Sequence, residues 1–111
     1  MSDKFEEVKE SGCMKLKTPF TMDGEQVTEI RYDFSKISPK QYTDIVKHVG
    51  KTETVVVPQL NMSVQANFFC KAAGIPAAVM TTQMSVPDFS NACGLARDFL
   101  LSAPDEDEDM I

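Results

Sequence analysis

The fold is decided by residues 16–41, which read LKTPFTMDGEQVTEIRYDFSKISPKQ. Two segments with alternating polar and apolar residues flank an Asp-Gly pair, a pattern typical of a β-hairpin. The stretch closes with Ser38-Pro39-Lys40-Gln41. Serine caps a helix, proline suits the first helical position and glutamine reaches back to the cap, so a helix is predicted to begin at Pro39.

The register of this hairpin can be argued from its apolar residues. A two-residue turn would pair Leu16 with Arg31 and divide the apolar side chains between the two faces of the hairpin. A three-residue loop at 22–24 pairs Leu16 with Ile30 and gathers the apolar side chains on one face. We therefore predict the three-residue loop, with Lys17 opposite Glu29 on the polar face.

Helix signals fill most of the remaining chain. The first helix is predicted from Pro39 to Gly50, and the second begins at Asn61 and stops at Gly74. A short helical piece follows around 77–80, and a last helix begins at Ser85. Gly94 in the middle of that helix indicates close approach to a neighbouring helix. Residues 55–57, Val-Val-Val, favour a short extended segment, and a third strand is one interpretation of it.

These elements predict an α+β fold, an N-terminal antiparallel β-hairpin packed on a small bundle of three to four helices. The 111 residues suffice for one domain. We assign residues 1–12 to a mobile N-terminal arm, 13–102 to the single α+β domain and 103–111 to a disordered acidic tail.

Charge is concentrated at one end of the chain. The run Asp105-Glu106-Asp107-Glu108-Asp109 holds five of the seventeen acidic residues, and without it the formal net charge changes from −6 to −1. A body with no basic stripe argues against nucleic-acid binding. The run itself has two interpretations: it keeps the protein dispersed in solution, or it competes for basic residues on a partner or neighbouring subunit.

Membrane insertion and disulfide bonding are not expected either. No apolar run approaches the ~18 residues of a membrane span, and the N-terminus lacks the pattern of a signal peptide, so the protein is predicted to be cytoplasmic. Cys13, Cys70 and Cys93 are odd in number and widely spaced. We interpret them as reduced, buried, small apolar residues.

Catalysis finds little support in the residue types. His48 is the only histidine, and no cysteine or serine stands in a nucleophile motif. We therefore predict no enzyme activity, no catalytic residues, no metal site and no cofactor.

Protein binding is the better-supported activity, and five side chains are predicted to contribute to it. The methionines around the second helix and the following connection suit an adaptable apolar groove, although core filler is the alternative interpretation. Adjacent phenylalanines on a helix point about 100° apart, so one ring is expected in the core and the other at a second surface. The predicted partner-binding residues are Met62, Phe68, Phe69, Met80 and Met84.

The order of these segments resembles one known family. The hairpin, the capped helix, Ala72-Ala73-Gly74-Ile75-Pro76 and Asp88-Phe89 are similar in order and spacing to the small tail assembly chaperones of contractile-tailed bacteriophages and prophages. The resemblance covers roughly residues 14–101. It implies a chaperone that binds the tape measure protein in the host bacterial cytoplasm, keeps it soluble during tail assembly, self-associates and is absent from the finished particle.

Two other classes of protein remain open at this stage. One is a structural tail component retained in the particle, which mass spectrometry of purified particles would detect. The other is a prophage-encoded adaptor directed at the host, against which a tape measure gene immediately downstream would argue.

Overall fold

The computed structural model describes residues 10–102. It has a two-stranded antiparallel hairpin followed by four helices, which confirms the predicted α+β class. The elements in chain order are β1 (Ser11–Met22), β2 (Glu25–Asp33), a 3-10 turn (Phe34–Lys36), α1 (Pro39–Gly50), a second 3-10 turn (Pro58–Leu60), α2 (Met62–Ala73), α3 (Ala77–Gln83) and α4 (Val86–Leu101).

The hairpin turn contains two residues, so the predicted three-residue loop is wrong. Met22 pairs directly with Glu25, and Asp23 and Gly24 both have positive φ, of 53° and 82°. Positive φ at both central residues defines a type I′ turn, whose twist matches that of the flanking strands. The sequence preference of Asp-Gly for this turn therefore prevails over the uniform apolar face that a three-residue loop would give.

A β-bulge resolves the conflict between the turn and the apolar pattern. Four residues of β1, Leu16–Pro19, lie opposite a single residue of β2, and beyond them Met14 rather than Leu16 pairs with Ile30. The shift by an odd number of residues exchanges the faces of β1 relative to β2, so that Met14 comes to lie on the same face as Ile30, and both are buried. Phe20, on the other side of the bulge, pairs with Val27 and is also buried. Lys15, not Lys17, consequently lies opposite Glu29.

The predicted helix boundaries are confirmed by the caps. The Ser38 hydroxyl and the Gln41 side chain form a reciprocal capping box at the start of α1. Asn61 accepts from the Val64 N–H at the start of α2, and Gly74 ends that helix with φ 72°. Ser85 caps α4. Side-chain capping and left-handed glycine are local effects, which explains why the sequence alone locates them.

Residues 55–57 do not form a third strand, since the sheet in the described part of the chain has two. The Leu60 N–H donates to the Val57 carbonyl at 3.0 Å, within the 3-10 turn. Pro58 is the first residue of that turn and fixes its own φ without supplying an N–H. The valine run is thus cut short by the proline, and Val56 is exposed.

Helix α2 lies at the centre of the molecule and touches the hairpin, α1, α3 and α4. Its Phe69 ring lies 5.4 Å from the Tyr32 ring of β2, and its Phe68 ring lies 5.7 Å from Tyr42 of α1. Phe34, just after β2, stacks on Phe68 at 5.3 Å. The core is therefore an aromatic cluster that joins the hairpin to the bundle, as expected of a central helix that is apolar nearly all round.

The hairpin begins within the segment predicted to be an N-terminal arm. β1 begins at Ser11, and the Phe34 N–H donates to the Glu10 carbonyl at 2.7 Å, so residues 10–12 continue the hairpin into the segment assigned to the arm. Residues 1–9 of the predicted arm and the predicted tail at 103–111 lie outside the described residues.

Gly94 is not a site of close helix approach among the described residues, contrary to the prediction. A Cβ built on it would meet only the Arg97 Nη2, at an ordinary 3.7 Å. We therefore expect Gly94→Ala to raise the free energy of unfolding by about 1 kcal/mol, because alanine is favoured over glycine inside helices. Chemical denaturation measures this change. Gly74→Ala is the opposing control, since its φ of 72° makes the same substitution unfavourable.

Candidate partner-binding surface

The two phenylalanines predicted to divide between core and surface are both core residues. Phe68 and Phe69 are almost completely buried. The prediction that one ring points outward is wrong because α2 is surrounded by several elements. Tyr42 of α1 covers Phe68, and Tyr32 of the hairpin covers Phe69. Neither ring is accessible to a partner in the folded chain.

The three predicted methionines are also separated by the fold. Met80 on α3 and Met84, which follows it, are buried, whereas Met62 at the start of α2 is 58% exposed. The Met80 sulfur lies 3.2 Å from the Cys70 sulfur inside the core. Flexible thioethers here fill the space between α2 and α3, which is the core-filler alternative. Met62 is thus the one accessible member of the predicted set.

Met62 belongs to an exposed apolar strip that the sequence prediction missed. The strip, as we define it, consists of Val56, Val57, Leu60 and Met62, with exposed fractions of 82, 44, 59 and 58%. Val57 and Leu60 are joined by the hydrogen bond that closes the 3-10 turn, which keeps them close together. Four large apolar side chains within seven residues are therefore presented to solvent at the entrance to α2.

A polar network fixes the strip to the body of the protein. The Glu53 carboxylate accepts from the Asn61 Nδ2 at 3.0 Å and from the Ser63 hydroxyl at 2.7 Å. The Gln65 side chain donates to the Gln59 carbonyl at 2.8 Å. These bonds tie both ends of the segment to the first turns of α2, so the strip has a defined position even at Val56 and Val57, which precede the 3-10 turn.

The same network influences the ionisation of Glu53. Hydrogen bonds from Asn61 and then from Ser63 favour the charged carboxylate and lower the pKa of Glu53 below its usual value. The carboxylate is therefore ionised at neutral pH, the state in which both donors are satisfied. Its exposure to solvent limits its contribution to stability.

A second group of polar contacts connects β1 to the start of α4. The Asp88 carboxylate, buried at the start of α4, accepts from the backbone N–H groups of Lys17 and Thr18 at 2.9 and 3.0 Å. The Ser85 hydroxyl donates to it at 3.0 Å. Both backbone donors belong to the bulge of β1, where strand pairing supplies no regular partner.

Opposing effects act on the pKa of Asp88. Burial raises the pKa. The hydrogen bonds from Lys17, Thr18 and Ser85 lower the pKa by more than burial raises it, so the pKa of Asp88 lies below its usual value. The charged form is the one that can accept all three bonds. Asp88 therefore acts structurally, as the acceptor that completes the bulge and attaches it to α4.

Two grooves flank the C-terminal end of α2. The larger, of about 570 Å³, lies between α1 and the corner from α2 to α3 and is lined by Ile45, Asn67, Cys70 and Lys71 together with residues 74–77. The smaller, of about 330 Å³, runs beside residues 31–33 of β2 and is bordered by Lys36 and residues 71–74. Both are shallow. The charged side chains of Arg31, Asp33, Lys36 and Lys71 border the smaller groove, but neither groove is an enclosed cavity of the kind that usually holds a catalytic site.

Reactive side chains are dispersed over the described region. Among residues 10–102, no three histidine, cysteine or acidic residues lie close enough together to hold a metal ion. Burial raises the pKa of both Cys70 and Cys93 to about 11, which keeps these thiols protonated. Cys13 is exposed on β1, so the prediction of three buried cysteines is wrong for this one.

The described helices differ from membrane-spanning segments in length and hydropathy. Across residues 10–102, none combines the length and the apolar character needed to cross a bilayer. The longest, α4, has 16 residues.

Comparison with known proteins adds no assignment. No protein-family model matches the chain, and no match was found among curated proteins or solved structures.

Proposed function

We propose that this protein is a tail assembly chaperone of a contractile-tailed phage or prophage, which binds the tape measure protein in the host cytoplasm and keeps it soluble. The order of segments in the sequence supports this proposal. So does the arrangement of the described domain, which offers a surface for binding another protein but no cluster of catalytic groups among its described residues.

The observation that carries the proposal is the exposed apolar strip. A long helical protein that has not yet assembled exposes apolar side chains, and an apolar surface of fixed position can cover them. The strip is held in place by Glu53 and Asn61, so little conformational freedom is lost on binding. The net charge of −6 offsets the tendency of such a surface to aggregate.

Substitution within the strip should weaken binding to the tape measure protein while leaving the fold intact. We expect the double variant Leu60→Ser/Met62→Ser to lose about 2 kcal/mol of binding free energy, or about thirtyfold in Kd, because two half-exposed side chains no longer become buried. The measurement is co-expression with the tape measure protein of the same genome, co-purification, and titration of the purified partner segment by calorimetry.

Three control variants accompany this experiment. Val86→Ser and Leu101→Ser remove apolar side chains that are equally accessible but lie outside the strip, and we expect binding to be retained. A chain lacking residues 105–111 should also retain the partner, because interactions between charges in water are screened within ~8 Å at physiological salt. Loss of binding in the shortened chain, with normal binding by the serine double variant, would contradict the assignment of the strip.

A further inference from the structure

The outer edge of β2 is open to pairing. In the described part of the chain the sheet contains β1 and β2 alone, so β2 has a neighbour on one side only. Its nine residues, Glu25–Asp33, include neither proline nor glycine. A strand edge of this kind carries unpaired backbone groups that can bind another strand.

The outer edge of β1, by contrast, is protected. Its ladder is interrupted by the bulge, which contains Pro19, and two N–H groups within the bulge already donate to the Asp88 carboxylate. Bulges, prolines and covering elements are the features by which proteins block strand pairing. At β2, a groove of about 330 Å³ separates residues 31–33 from the end of α2 at residues 71–74.

The side chains of β2 are complementary to a second copy of the same strand. Glu29 and Arg31 are both exposed, lie on the same face and are two residues apart, with their charged atoms 4.0 Å from each other. Two such strands placed antiparallel about Ile30 bring Glu29 opposite Arg31 of the partner subunit, and by symmetry this pair occurs twice. Opposite charges directly across a strand pair are stabilising.

We propose that two copies of this chain associate through β2, antiparallel and centred on Ile30, to form a continuous four-stranded sheet across the dimer. Shifting the centre by one residue places either two glutamates or two arginines opposite each other, which is unfavourable. Shifting it to Thr28 places Val27 opposite Glu29 of the partner subunit. Shifting it to Tyr32 places Arg31 opposite Asp33 of the partner subunit, and the Asp33 carboxylate is already engaged by the N–H and hydroxyl of Ser35. An interface of about seven residue pairs is small, so the dimer is weak and forms at micromolar concentrations or above.

Charge reversal tests both the surface and the register. Glu29→Arg and Arg31→Glu each place like charges opposite each other, and we expect each variant alone to dimerise about tenfold more weakly than the unchanged chain. An equimolar mixture of the two variants restores both attractive pairs and should form a heterodimer, as should the double variant with itself. Sedimentation velocity over a concentration series measures these species, and circular dichroism verifies that each variant is folded.

Hydrogen exchange on the unmodified chain provides a test that needs no substitution. We expect amide protection within residues 27–33 to increase with protein concentration, while β1 remains unchanged. A chain that stays monomeric at high micromolar concentration overturns the proposal, as does a mixture of the single variants that forms no heterodimer. Because the readout is the association of this chain alone, failure here leaves the proposed binding of the tape measure protein unaffected.

Discussion

Phe69→Ala is expected to destabilise the domain by about 3–5 kcal/mol, enough to leave much of so small a protein unfolded at 37 °C. The side chain is fully buried and contacts Tyr32 of the hairpin, so its removal opens a cavity where the two parts of the fold meet. Thermal and urea denaturation followed by circular dichroism measure the loss. Phe68→Ala should cause a loss of stability of similar size, since the Phe68 ring stacks on Phe34 and Phe99.

Val86→Ala is the control for these truncations. Its side chain is 79% exposed, so we expect a change below about 0.5 kcal/mol. If either phenylalanine variant melts within a degree or two of the unmodified protein, α2 is not the central helix of the domain.

Asp88→Ala is expected to cost about 2–3 kcal/mol, because the two N–H groups of the bulge lose a charged acceptor in a partly buried position. Asp88→Asn retains one oxygen as acceptor and should lose about half as much. Asp98→Ala removes an exposed carboxylate from the same helix, where the neighbouring Arg97 is its partner, and should change stability little. Equal losses in the Asp88→Ala and Asp98→Ala variants would show that Asp88 has no special role.

The contribution of Asp88 should depend on pH in a defined direction. Its pKa is lower in the folded state than in the unfolded state, so the unfolded chain binds the proton more readily. The stabilisation is therefore complete above the unfolded pKa of about 4 and is lost as pH falls through the folded pKa. The difference in stability between the unmodified protein and Asp88→Ala should accordingly be large at pH 7 and shrink below about pH 4.

Local signals explain what could be predicted of the fold. Ser38, Asn61, Gly74 and Ser85 each act on the backbone within a few residues, and each helix boundary they predict is confirmed. The hairpin register could not be obtained in this way. The register depends on a bulge in which two N–H groups have no partner in β2 and donate to Asp88 instead. Asp88 lies some 70 residues further along the chain, so no local sequence pattern predicts this contact.

The binding surface was harder to predict than the fold. The methionines and phenylalanines have the chemistry of a binding surface, yet four of the five predicted residues lie in the core, because α2 and α3 are covered from several sides. One sequence feature does indicate the accessible strip. The apolar run at residues 55–57 ends at a proline and connects two helices, so it is poorly suited to pair as a strand in a sheet. Only the placement of the neighbouring elements shows that Val56 and Leu60 face solvent.

The bond between Asp88 and the bulge also has a consequence for the order of folding. A hairpin is normally among the first elements to form, since its contacts are close in sequence. Here the tip of the hairpin can close locally, but the bulge obtains its acceptor only after α4 has been synthesised and docked, across a sequence separation of 71 residues. During synthesis on the ribosome, we therefore expect β1 to reach its final structure only after α4 has docked, although β1 precedes all four helices in the chain.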